Sequence, residues 1–308
     1  MDDASGWDID FPDEQDIQEA LEPTLQDYKK ATCLVLPSGG IKGLYLLGAI
    51  EYLYEVYGID HIQSFYGTSI GAIISGLLII GYTPLELLVY ICIHKIIAVL
   101  ASTFHIANIL TEKHFLDSDL FIQLLKQIII HKVGHVPTLQ EMFVTYRKKL
   151  CVVTISRDKP TKPIYISHET HPTLLLDQAL HMSSSIPFVL GYATYEDTEY
   201  LDGGLLDPFP ILHASKCEEI VFGINIIRDV KKKEEVWWDM VSVLYVPILY
   251  IEQFHLDQLT RGTYINLITQ GEHVTKQTKV QMNMFGSGYQ QCKTLLQIKP
   301  PKHKSKKE

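Results

Sequence analysis

The chain has 308 residues, 46% of them apolar, enough for one large α/β domain or two small ones with a substantial core. Its formal net charge of −9 argues against a general nucleic-acid binder. Five cysteines, widely spaced and without a C-x-x-C pair, give no zinc site and favour a reducing, cytoplasmic compartment.

The charge is polarised along the chain. Residues 1–28 hold ten Asp or Glu and no Lys or Arg. Residues 1–30 are therefore expected to form a flexible acidic tail, and they lack the basic-then-apolar pattern of a secretory signal. Residues 298–308 read as a basic flexible tail, either simply solvated or drawn to anionic lipid. Residues 31–297 are expected to form one domain.

The first strand, over 32–36, runs into Pro37-Ser38-Gly39-Gly40-Ile41-Lys42-Gly43, and a helix is expected over 44–57, ended by Gly58. A glycine-rich loop between strand and helix offers backbone N–H groups to negative charge. The glycines do not follow the G-x-G-x-x-G spacing of a dinucleotide loop. An oxyanion hole is the favoured reading, because a nucleophile turn follows on the next strand. That strand, over 62–66, leads into Gly67-Thr68-Ser69-Ile70-Gly71 and a small-residue helix over 72–80. A G-x-S-x-G sequence between strand and helix suits a turn tight enough to project the serine hydroxyl from the sheet. The flanking glycines let strand and helix approach closely.

Thr83-Pro84-Leu85-Glu86 is a capping box opening an apolar helix over 85–100. Glu86, His94 and Lys95, with the break at 81–84, leave each apolar piece of 70–100 shorter than the roughly 20 residues a span needs. A core helix is the favoured reading, with a lid or lipid-meeting helix as the alternative. Further helices are expected at 120–131, capped by Asp117, at 139–148 behind a Thr138 capping box, and from Pro172 to His181. Strands are expected at 150–155, 162–167 and 220–226. The serines of Met182-Ser183-Ser184-Ser185-Ile186-Pro187 read as helix-end packing and caps. Lys231, Lys232 and Lys233 beside Trp237 and Trp238 suit a membrane interface. The apolar run 241–256, with Pro247 inside it, reads equally as a buried, kinked helix.

The third motif is Tyr200-Leu201-Asp202-Gly203-Gly204, a strand ending in an acid at a glycine turn. With the loop at 38–43 and the turn at 67–71, in that order, the chain resembles the patatin-like phospholipases over about residues 31–297. The stretch Ala179 to Pro187 and the segment Gly288 to Lys293 also resemble that family. Ser38 departs from the family pattern, which has a glycine there, but it retains a backbone N–H.

The resemblance implies a three-layer α/β sandwich with a central, mainly parallel sheet and helices on both faces. It implies a Ser–Asp dyad, with Ser69 as nucleophile and Asp202 as base. Gly39, Gly40 and Ile41 would line the oxyanion hole, and Ser38, Lys42, Gly43, Gly67, Gly71, Gly203 and Gly204 would support the motifs. Lys42 either holds the loop, meets a lipid phosphate, or is an exposed helix-start lysine. No metal and no cofactor are expected. The expected activity is hydrolysis of fatty-acyl esters in phospholipids or related lipids, at a transient membrane surface. An activating protein partner is open, and no nucleic acid is expected. The alternatives are a soluble esterase or thioesterase of the same fold and an inactive lipid-binding protein. A histidine base, His213 or His273, is the alternative to the dyad.

Overall fold

The computed structural model describes residues 23–103, 115–228, 236–269 and 277–297. In chain order these hold α1 (Leu25–Lys30), β1 (Cys33–Leu36), α2 (Gly43–Val56), β2 (Ser64–Thr68), α3 (Ile70–Ile79), α4 (Pro84–Ile93) and α5 (Ile96–Ser102). There follow α6 (Ser118–Val133), α7 (Leu139–Tyr146), β3 (Lys149–Ser156), β4 (Ile164–Ile166), α8 (Leu176–Ser184), β5 (Ala193–Tyr195) and β6 (Thr198–Asp202). The chain continues through α9 (Ile211–Cys217), β7 (Val221–Arg228), α10 (Val236–Asp257), β8 (Thr263–Thr269) and α11 (Thr278–Gln297).

The strands form one sheet in the order β5-β6-β3-β2-β1-β7-β8, with β4 also paired to β3. β1, β2, β3, β7 and β8 are mutually parallel, whereas β4 and β6 run antiparallel to β3, and β5 to β6. Strand side chains alternate between faces, and the core divides accordingly. Leu34, Leu36, Phe65, Leu150 and Val152 join the large cluster with α2, α3, α8 and α11. Cys33, Val35, Tyr66 and Cys151 face the other way, onto Ile211 and Ala214 of α9. Both faces are thus covered, which a mostly parallel sheet requires. Cys33 and Cys151 are buried as expected, and burial pushes the Cys33 thiol up to about 12.

Helix ends follow the predicted chemistry. Thr83 and Thr138 form capping boxes with Glu86 and Glu141, and the Asp117 side chain caps α6. Three expectations need correction. The helix expected over 85–100 is two helices, because His94 ends α4 and Lys95 is left-handed (φ 49°). The helix expected from Pro172 begins at Leu176, since Thr138 and Leu175 form an antiparallel bridge, with Leu139 N–H donating to the Leu174 carbonyl and Leu176 N–H to that of Pro137. The flexible tail does not reach residue 30: Thr24 caps α1 in a capping box, and Tyr28 of that helix is fully buried. The acidic residues 1–22, Lys231 to Lys233, His273 and the basic tail 298–308 lie outside the described residues.

Among the described residues no single helix is long and apolar enough to cross a membrane. α3 and α4 pass that test only together, bent by 114°. Most of α3 is buried, as a core helix should be. α4 is amphipathic in a different sense, for Leu85, Val89 and Ile93 are exposed at a four-residue spacing.

Candidate active site

β2 runs two residues further than the apolar pattern suggests, so Ser69 sits directly at its end. There the chain reverses into α3 with φ 55° and ψ −121° at Ser69. A non-glycine residue at such angles carries strain on the order of 1–3 kcal/mol, the kind of distortion held in place at functional sites. The turn is packed so tightly that both elbow glycines are obligatory. A Cβ on Gly67 would lie 2.5 Å from the Ala72 nitrogen, and one on Gly71 2.5 Å from the carbonyl oxygens of Leu36 and Pro37.

The second contact brings in the glycine loop. After β1, Gly40 takes φ 54° and a short 3₁₀ turn, Gly40–Lys42, feeds α2. The first N–H groups of such a turn have no intrahelical acceptor, which leaves those of Gly39, Gly40 and Ile41 suited to an anion. The loop lies against the residue after the serine: a Cβ on Gly43 would collide with Ile70 Cγ1 at 2.3 Å. Ser38 is buried, and its N–H donates to the Pro208 carbonyl at 2.7 Å. Lys42 is half-buried at the start of α2.

Asp202 ends β6, and sheet register brings it level with the elbow. Thr68 pairs with Val153 of β3, while Asp202 pairs with Thr154 from the opposite side of β3. Two strand spacings place the β2 and β6 backbones about 10 Å apart. Ser69 and Asp202 are both buried, at 4% and 3% exposure. The Asp202 carboxylate accepts the Gly204 N–H at 2.7 Å, and the Asp202 N–H donates to the Ser185 carbonyl at 2.9 Å. Gly203 presses onto β3, where a Cβ would lie 2.4 Å from the Val153 oxygen. A Cβ on Gly204 would meet both Asp202 Oδ1 at 2.9 Å and Ser38 Oγ at 3.0 Å, so the acidic turn and the glycine loop touch.

All three motifs therefore converge. The structure also adds residues whose sequence context suggested other roles. Ser183 Oγ accepts the Ser69 N–H at 2.8 Å and donates to Val153 O at 2.6 Å. Among the three serines, the capping role holds for Ser185, whose hydroxyl donates to the His181 carbonyl. Asp207 and Pro208, three residues beyond Gly204, touch every motif: the Thr68 hydroxyl donates to the Asp207 carbonyl at 2.9 Å, and the Asp207 N–H donates to the Gly203 carbonyl at 2.9 Å. Only the stretch Ala179 to Pro187, through the family resemblance, pointed toward Ser183.

His213 and His181, which lie near these elements, are poor bases. Burial depresses His213, which the Asp207 charge only partly offsets. The His213 ring stacks on Tyr165 with centroids 3.4 Å apart, and its Nε2 lies 3.6 Å from Cys217 Sγ. Burial likewise lowers His181, to about 4. Among the described residues no cluster of three His, Cys, Asp or Glu side chains could hold a metal ion.

A covered parallel sheet whose second strand ends in a strained serine turn defines a class, the three-layer α/β hydrolases with a strand–turn–helix elbow. Within it, the patatin-like phospholipase family model matches residues 34–215, more than half of the chain. The chain belongs to that family and is a lipid acyl hydrolase by class. Among curated proteins it is 31% identical over 214 residues to a probable lipid hydrolase, 463L, of Invertebrate iridescent virus 6, covering 69% of this chain and 70% of that protein. It is 29% identical to an uncharacterized protein, R571, of Acanthamoeba polyphaga mimivirus, over 58% of this chain and 59% of the other. Among solved structures, VipD from Legionella pneumophila superposes with a TM-score of 0.53 at 16% identity, covering 87% of this chain and 67% of VipD. ExoU of Pseudomonas aeruginosa, in its complex with SpcU, gives 0.52 at 17% identity, covering 86% of this chain and 51% of the other. These two similarities concern the fold.

Proposed function

We propose that this chain hydrolyses fatty-acyl ester bonds of phospholipids or related lipids through a dyad of Ser69 and Asp202. The observation that carries the reading is the strained, buried Ser69 turn, level with Asp202 across β3 and packed against the glycine loop. A serine hydroxyl needs a base before it is nucleophilic. Asp202 takes the Ser69 Oγ proton as Oγ attacks the ester carbonyl. The carbonyl oxygen becomes an oxyanion facing the N–H groups of Gly39, Gly40 and Ile41, each such donor contributing on the order of 3 kcal/mol to the transition state. The tetrahedral species collapses, the alcohol leaves with the proton from Asp202, and an acyl group remains on Ser69. Water then gives a proton to Asp202 and attacks the acyl carbonyl. The fatty acid departs and the proton returns to Ser69.

Contact with a membrane surface is supported by exposed apolar side chains: Leu85, Val89 and Ile93 on α4, and Tyr250 and Phe254 on α10. All five cysteines are free, and we assign a cytoplasmic setting with peripheral membrane contact.

The test is fatty-acid release from mixed phospholipid vesicles with a chelator present, comparing wild type, Ser69→Ala and Asp202→Asn. Release by wild type that disappears in both folded variants is the expected result and excludes a calcium requirement. Release that persists in Asp202→Asn would sink the dyad. Hydrolysis of soluble esters alone would replace the lipid substrate by a soluble one, and no hydrolysis of either would favour an inactive lipid-binding protein.

A further inference from the structure

Asp207 and Pro208, the fifth and sixth residues after Asp202, hold together all three turns of the site. Asp207 N–H donates to the Gly203 carbonyl in the acidic turn. The Asp207 carbonyl accepts the hydroxyl of Thr68, the residue before Ser69. The next carbonyl, that of Pro208, accepts the N–H of Ser38 in the glycine loop. Asp207 and Thr68 are both essentially inaccessible to solvent, at 1% and 0% exposure. One dipeptide is thus tied to three loops that are otherwise far apart in sequence.

Its own position is set by a side chain. Asp207 Oδ2 accepts the Tyr165 hydroxyl of β4 at 2.8 Å. Oδ1 faces Nδ1 of His255, on α10, at 3.3 Å, a looser contact than the first. Both of these atoms are buried and neither makes a hydrogen bond among the described residues, so the contact between them is a close approach rather than a hydrogen bond. Burial and the Asp207 charge push the Tyr165 hydroxyl up, which keeps it a donor. A buried carboxylate needs such partners; it is also a poor choice merely to fill space, since an apolar residue packs without any desolvation cost.

We propose that Asp207 is a positioning residue of this enzyme. Its carboxylate, clamped between Tyr165 and His255, holds the Asp207–Pro208 backbone so that the serine elbow, the acidic turn and the glycine loop keep their mutual placement. The inference rests on the Ser69–Asp202 reading for its catalytic consequence but not for its structural one. Displacements of about 1 Å at reacting groups cost roughly 100-fold in rate, so loosening one hub depresses catalysis without any contact between Asp207 and substrate.

The experiment measures two things on the full chain: the rate at which a fluorophosphonate phosphonylates Ser69, and hydrogen exchange over 36–43, 67–71 and 202–208. The variants are Asp207→Ala, Asp207→Asn, His255→Phe, Tyr165→Phe and the double variant Asp207→Ala with His255→Phe. Labelling is expected to slow by roughly tenfold or more in Asp207→Ala and to recover substantially in Asp207→Asn, which still accepts from Tyr165. His255→Phe is expected to slow it in the wild-type background and to add nothing in the Asp207→Ala background, because residues acting through one group are non-additive. Exchange should quicken at all three turns together. An equal His255→Phe effect in both backgrounds would overturn the proposal, since it would assign His255 to helix packing alone. If Asp207→Ala fails to fold, the same cycle is run with Asp207→Asn. If wild-type Ser69 does not label, the dyad reading fails and exchange alone decides: unchanged protection at the three turns in His255→Phe overturns the inference, and joint loss of protection supports it.

Discussion

The Ser69 N–H donates to the hydroxyl of Ser183 at 2.8 Å, and that hydroxyl donates its own proton to the Val153 carbonyl at 2.6 Å. The elbow is therefore not held by its strand alone. It is pinned to the central strand β3 through the end of α8, and the same Val153 oxygen carries the close approach of Gly203 beside Asp202. One carbonyl registers both halves of the proposed dyad.

Removing that pin has a definite consequence. Ser183→Ala leaves the Ser69 N–H and one Val153 lone pair unsatisfied in a buried place, a cost of about 1–3 kcal/mol. Fatty-acid release should fall by roughly 10- to 100-fold through misplacement of Ser69. Steady-state hydrolysis and urea melts of the variant check both parts, and wild-type turnover in a folded Ser183→Ala protein would show that the pin is dispensable.

The strain at Ser69 predicts opposite effects on stability and activity. Glycine adopts φ 55° and ψ −121° without penalty, whereas alanine does not. Ser69→Gly should be more stable than Ser69→Ala by about 1 kcal/mol, a shift of roughly 2–4 °C in a chain this size, with both inactive. Equal melting temperatures for the two variants would mean that the backbone relaxes once the hydroxyl is gone.

α2 and α11 cross almost backbone to backbone. A Cβ on Gly48 would lie 1.9 Å from the Phe285 carbonyl oxygen, and one on Gly288 2.0 Å from that of Tyr45. Gly48→Ala and Gly288→Ala should each destabilise by more than about 2 kcal/mol, since backbone atoms must move apart. A Cβ on Gly286, also in α11, would meet nothing within 4 Å. Gly286→Ala should stabilise by up to about 1 kcal/mol through helix propensity. Chemical denaturation of the three variants makes the comparison, and a similar response from all three would deny the close crossing.

His181 gives the fold an acid sensitivity. Burial lowers its pKa from 6.5 to about 4, and its Nε2 has no hydrogen-bond partner among the described residues. The folded state keeps the ring neutral while the unfolded chain takes up a proton below pH 6.5. The stability contribution is therefore complete above about 6.5 and is lost as pH falls toward about 4, by on the order of 3 kcal/mol. His181→Phe should flatten this part of the stability profile. Urea midpoints at pH 7 and pH 4.5 for the two proteins test it, with parallel declines counting against the prediction.

Much of the candidate site was legible in order along the chain. Each motif is local: the Gly67 and Gly71 spacing around Ser69, the glycines at 39, 40 and 43, and the Asp202-Gly203-Gly204 turn each state a backbone requirement within a few residues. The same holds for Thr83 and Thr138, whose capping boxes involve only their own helix starts. Expectations missed where a distant segment intervened. Residues 172–175 read as helix by local propensity but pair with 137–139 instead. Lys95 breaks an apolar run that has no proline or glycine to signal a stop.

The sequence by itself determined the order of the motifs, because each rests on turn chemistry that neighbouring residues dictate, and the family resemblance those motifs carry supplied the class of fold and the candidates for the reacting groups. Only the tertiary structure decided that Ser183 grips Ser69, that Asp207 and Pro208 bind three loops together, and that Asp202 stands level with the elbow across β3. Those are hydrogen bonds and register relations between residues more than 100 positions apart in the case of Ser69 and Ser183. A serine or an aspartate carries no local mark of the partner it will meet once the sheet has closed.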